Sequence, residues 1–196
     1  MTAAGLDAST AASVRNPVAP VLVMIAVMWG SEVADMPLDG RLDRFGIRPR
    51  QVDGLDGIVL SPFLHSGFGH LIANTIPFLV MGAIIAISSG RRFTRVTLIV
   101  GLVAGIGTWL TGPSGTIHIG ASGLVFGYLL YLITRGVFAR SIGYLAIGVA
   151  VAAVYGSVLW GVLPQPGISW QGHLFGALGG IAAASLLHGD RERVDG

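Results

Sequence analysis

HIGASGLVFG, residues 118–127, sets one serine among glycines and alanine inside a long segment that carries no charged side chain. If that segment is membrane-buried helix, Ser122 is either a packing device between helices or a nucleophile working below the membrane surface. Which of the two holds depends on whether the rest of the chain is also membrane-embedded, and on which other polar groups lie at the depth of the serine.

Composition answers the first point. The 196 residues are 53% hydrophobic and 11% charged, with a mean hydropathy of +0.74, whereas a soluble domain carries about 25% charged residues. The charges are also clustered. Residues 57–90, 96–134 and 141–189 contain no Asp, Glu, Lys or Arg. Runs of this length exceed any soluble core element, since a spanning helix needs only about 20 apolar residues. The chain therefore reads as an all-α, polytopic membrane protein. All 12 basic residues are arginines, and no basic run extends beyond Arg91-Arg92, which argues against a nucleic-acid surface. With no cysteine, disulfides, thiolate catalysis and Cys-based metal sites are excluded.

Six spans are expected, near residues 17–33, 68–87, 94–111, 119–134, 141–163 and 168–187. The first, PVAPVLVMIAVMWG, is short and must borrow flanking residues. The Pro/Gly clusters TGPSG (111–115) and LPQPG (163–167) split the two longer charge-free runs. Residues 1–16 and 189–196 read as tails, the first lacking the layout of a cleaved signal peptide. Eight arginines fall on one side of this topology (Arg15, Arg91, Arg92, Arg95, Arg135, Arg140, Arg191, Arg193) and four on the other (Arg41, Arg44, Arg48, Arg50). Positive charge favours the cytoplasmic side, so both termini are expected inside. Arginine and glycine richness without lysine fits a GC-rich bacterial genome, hence a multi-pass protein of the plasma membrane.

In this topology the second, fourth and sixth spans run from outside to inside. Counting from their outer ends at 1.5 Å per residue, His70, Asn74, Ser122 and His173 all fall within about two turns of the outer face. Polar groups inside spans usually face the bundle interior and are functional. Gly123 and Gly127, and Gly172, Gly176 and Gly180, form small-residue faces that let helix backbones approach closely, which would bring Ser122 to His173. A serine needs a base to become a nucleophile, and His173 can take its proton and later return it. No carboxylate lies in the last five spans, so the imidazole must be oriented another way, with Phe126 placed to stack on it. Donors for an oxyanion would come from the free N–H groups at the helix start and from His70 and Asn74, at i and i+4.

Three segments resemble the rhomboid intramembrane serine proteases: GASG (120–123) their GxSG, FLHSGFGHLIANTIPF (63–78) their second-span signature with its HxxxN pair, and GHLFGALGG (172–180) their HxxGxxxG. The resemblance covers about residues 17–188 and implies a six-helix rhomboid-like bundle of minimal form. It implies a Ser122–His173 dyad, an oxyanion site including His70 and Asn74, supporting roles for Gly120, Gly123, Gly176 and Phe126, and no cofactor or metal. Substrates would be transmembrane helices of single-pass proteins within the lipid bilayer, cut near the outer face. The fifth span and its following turn, including Trp160, would be the mobile gate and cap. The chain departs from its relatives in lacking a Trp-Arg pair in the long first loop and in having Phe126 where Tyr is common. The alternative is a non-catalytic rhomboid-like protein that binds membrane helices.

Blander readings apply elsewhere. Ser114 also fits GxSG but sits in a Pro-containing turn. His118, in the same loop, is expected to be solvated, and His65 to be interfacial or to line a cavity. His188 suits a helix C-terminus. No HxxxH pair or neighbouring carboxylate completes a metal site.

Overall fold

The computed structural model describes residues 16–165 and 167–189; the expected tails lie almost wholly outside these. Seven α-helices are present among them: α1 (Ala19–Asp35), α2 (Gly57–Leu60), α3 (Phe68–Ser88), α4 (Gly90–Thr111), α5 (Ser122–Phe138), α6 (Ile142–Tyr155) and α7 (Trp170–His188). Six are long and match the six expected spans; α2 is a single turn in the long first loop. Four helical segments, beginning at Ala19, Phe68, Gly90 and Ile142, are long and apolar enough to cross a membrane, and α5 is a shorter apolar helix. The chain is a multi-pass helical membrane protein.

Helix boundaries follow local chemistry. Pro20 opens α1, where its missing N–H costs nothing. Ser89 and Ser141 cap α4 and α6, their hydroxyls accepting from the backbone N–H groups of Arg92 and Tyr144. The third span thus starts at Gly90, earlier than expected. The fourth starts later, at Ser122, because Gly120 adopts φ +107° and turns the chain before the helix. It also runs further, to Phe138. Arg135, expected in a loop, is instead fully buried, its guanidinium 4.3 Å over the Tyr144 ring, an arrangement that stabilises a cation without a carboxylate. The fifth span ends its α-helix at Tyr155 and tightens into a 3₁₀ segment, Gly156–Val162.

The bundle is organised by glycine. A Cβ at Gly176 would lie 2.1 Å from the Gly123 carbonyl oxygen, and one at Gly180 would lie 2.0 Å from that of Gly127. Backbones of α5 and α7 are therefore in direct contact. On the other flank of α7, the Phe175 ring fills the space above Gly107 of α4. Beside this three-helix stack, Phe78, Phe93 and Tyr128 form an aromatic cluster joining α3, α4 and α5. The Tyr128 hydroxyl is satisfied by Thr97 at 2.7 Å, as a buried phenol requires. By contrast, α6 buries only Gly148 and Val151.

The long first loop lies across one end of the bundle. The backbones of Ile47 and His118 form an antiparallel bridge, and Trp109 donates its indole N–H to the Gln51 carbonyl at 2.9 Å. Arg48 pairs with Asp53 at 2.9 Å. Gly57 packs so tightly on Gly46 that a Cβ would meet its carbonyl at 2.4 Å. The chain entering α5 is thus clamped by the loop.

Gly180→Ala is expected to force α5 and α7 apart and cost about 1–3 kcal/mol. Gly30→Ala on α1, with nothing within 4 Å of its added methyl, should leave stability unchanged or slightly raised. Thermal unfolding in detergent compares the two.

Candidate active site

Ser122 is the first residue of α5, and His173 lies one turn into α7. Because the two helices touch through glycines, their side chains meet: His173 Nε2 is 2.8 Å from Ser122 Oγ. The other ring nitrogen, Nδ1, is 2.7 Å from the carbonyl oxygen of Gly161. A carbonyl only accepts, so Nδ1 carries the proton and Nε2 presents its lone pair to the serine hydroxyl. That tautomer is the one a base needs. Phe126, one turn along α5, stacks on the imidazole with ring centroids 4.1 Å apart and planes 8° from parallel.

Across the same space stand His70 and Asn74 of α3. A Cβ on Gly120 would come within 2.7 Å of the His70 ring and 3.7 Å of Asn74 Nδ2. Glycine is thus needed there both for its positive φ and for room. His70 Nδ1 contacts Ser66 Oγ at 3.3 Å, and Asn74 Nδ2 donates to the His70 carbonyl at 3.1 Å. A cavity of about 750 Å³ is lined by His70, Asn74, Ser122 and His173 together with Ser66 and Gln171. All the residues singled out from the sequence therefore converge: Ser122, His173, Phe126, His70, Asn74 and Gly120 around one space, Gly123 and Gly176 in the helix contact beneath it.

Other readings change. Ser114 stands apart, its hydroxyl accepting from Arg50 at 2.7 Å. His118 is buried, not solvated. Its Nδ1 is 2.7 Å from Ser169 Oγ and its Nε2 is 2.9 Å from Thr116 Oγ1, and burial lowers its pKa. Ser169 in turn accepts the His173 backbone N–H at its carbonyl, 3.1 Å away. No motif pairs His118 with Ser169 in the sequence, where they stand 51 positions apart. His188 is also buried, 2.9 Å from the Tyr131 hydroxyl. Among the described residues no group of His, Cys, Asp or Glu is arranged to hold a metal ion.

His65 is buried beneath the site, its Nε2 accepting from the Ala121 N–H at 3.4 Å, its ring edge-on to His70 at 5.1 Å. Burial, reinforced by His70 and partly opposed by the Phe63 backbone, lowers its pKa to about 4.

The family model for the Rhomboid domain matches residues 54–190. The chain is 44% identical over 176 residues to an uncharacterized protein of Mycobacterium tuberculosis, covering 85% of this chain and 73% of that one. A Mycobacterium leprae protein, also uncharacterized, matches at 44% with 85% and 70% coverage. The Bacillus subtilis protein named "Putative rhomboid protease YdcA" is 32% identical over 135 residues, 66% of each chain.

A histidine held near pH 4 when folded and at 6.5 when unfolded binds its proton only in the unfolded chain between those values. Stability is then fully present above pH 6.5 and falls as pH drops toward 4. For His65 the expected loss is about 2 kcal/mol at pH 5. The drop in melting temperature from pH 7.5 to pH 5 should shrink in His65→Gln.

Proposed function

The chain belongs to the rhomboid family, and from that premise and the Ser122–His173 geometry we propose that it is an intramembrane serine endopeptidase, cutting peptide bonds in or beside transmembrane helices of other membrane proteins. The observation that carries this reading is the 2.8 Å contact from His173 Nε2 to Ser122 Oγ, with Nδ1 held by a carbonyl.

The chemistry follows from that pair. His173 Nε2 takes the Ser122 proton as Oγ attacks the scissile carbonyl carbon. The carbonyl oxygen becomes an oxyanion beside the Ser122 N–H, which is free at the helix start, and beside His70 Nε2 and Asn74 Nδ2. Collapse of the tetrahedral species expels the amine, which receives the proton from imidazolium. Water, deprotonated by the same nitrogen, then releases the acyl group and regenerates the serine. A full carboxylate partner would stabilise imidazolium more strongly than the Gly161 carbonyl does. The Phe126 face supplies part of the difference, since a cation over a ring gains about 0.5–2 kcal/mol.

The arginine distribution supports a site near the outer face with cytoplasmic termini. The small buried surface of α6 supports that helix and its 3₁₀ extension, with Trp160 at 71% exposure, as the side on which a substrate helix gains access.

In proteoliposomes with a reporter transmembrane helix, Ser122→Ala and His173→Ala should lose cleavage by at least ~10³-fold. Wild-type protein no more active than these variants would favour a helix-binding relative without catalysis. Asn74→Ala should reduce kcat by roughly 10²–10³-fold if it meets the oxyanion, with thermal stability nearly retained. A fluorophosphonate should label Ser122; labelling at Ser114 would overturn the site assignment.

A further inference from the structure

A second cavity, of about 390 Å³, opens on the flank formed by α1, α2 and α4, away from the His70–His173 space. Its wall is apolar, with Val23, Met24, Val59, Phe63, Leu98 and Leu102 among the lining side chains. Along α4 the lining advances from Phe93 to Leu102. At 1.5 Å per residue this is about 13 Å, close to one leaflet of a hydrocarbon core about 30 Å thick. A spanning helix would need twice that depth.

Arg91 and Arg95 do not line the slot itself; they fall on the α4 face that carries its lining residues Thr94, Leu98 and Leu102, three or four residues apart. Both are exposed. Among the described residues the one ion pair is Arg48–Asp53, at the far end of the bundle, so neither guanidinium is paired there. Two guanidiniums over an apolar slot one leaflet deep match one kind of molecule in a bilayer.

We propose that this groove binds a phospholipid with a net negative headgroup. One acyl chain lies along Met24, Leu98 and Leu102, and the phosphate is held by Arg91 and Arg95, whose planar forks suit its oxygens. The inference does not depend on the chain being a protease.

Native mass spectrometry of the delipidated full chain in neutral detergent, with dioleoyl phosphatidylglycerol or dioleoyl phosphatidylcholine at equal concentration, tests it. A one-lipid adduct is expected with phosphatidylglycerol, at least about tenfold above that with phosphatidylcholine. The adduct should fall about tenfold in Arg91→Gln/Arg95→Gln, and equally in Leu98→Trp, which fills the slot and leaves the arginines. Arg41→Gln/Arg44→Gln, at the opposite end, should retain it. Melting temperatures confirm that each variant is folded. Equal retention of both lipids overturns the proposal. So does a phosphatidylglycerol adduct that survives Leu98→Trp while disappearing with the arginines, because that is surface charge without a groove.

Discussion

Everything at the site depends on two helices being able to touch backbone to backbone. Gly123 and Gly127 on α5 face Gly176 and Gly180 on α7 so closely that a single methyl would collide with a carbonyl oxygen. In a bilayer there is little hydrophobic drive to bring helices together, so close packing and local polar contacts must do it. At such a separation, Ser122 and His173 meet with side chains in ordinary length. Alanine at Gly176 or Gly180 would push the two backbones apart, away from the separation at which hydroxyl and imidazole meet. The glycine stripe is thus a distance constraint on the chemistry as much as a packing device.

The same environment explains the unusual base. A carboxylate partner for His173 would be a buried charge in low dielectric, which is costly without further partners. A backbone carbonyl avoids that cost and still fixes the tautomer. What it lacks is charge, so in the proposed reaction an imidazolium would be stabilised mainly by the Gly161 dipole and the Phe126 ring. As a proposed base, His173 would trade strength for compatibility with its surroundings.

Much of this was legible in the sequence because it resides in periodicity and in rare residues. Charge-free runs mark the spans, and few polar side chains within them are candidates for chemistry, so Ser122, His173, His70 and Asn74 stood out. Phe126 was found by its helical spacing from Ser122. The parts that were not legible are those made by the loop. His118 looks like a solvated loop residue until the Ile47 bridge folds the long first loop over it, and its contact with Ser169 joins residues 51 positions apart. Gly161 leaves no trace in the sequence, because it contributes only a backbone carbonyl and has no side chain. Arg135 reads as a helix end because it is charged, whereas the aromatic face of Tyr144 lets it remain within α5.

The location of that Gly161 carbonyl has its own consequence. It belongs to the 3₁₀ turn that extends α6, the long helix with the fewest buried residues, and not to the glycine-locked pair that carries the dyad. The imidazole therefore takes its orientation from the least anchored wall of the molecule. If the chain is the protease proposed above, an outward swing of that wall would withdraw the acceptor from Nδ1, and access and reactivity would be interlocked through one peptide oxygen.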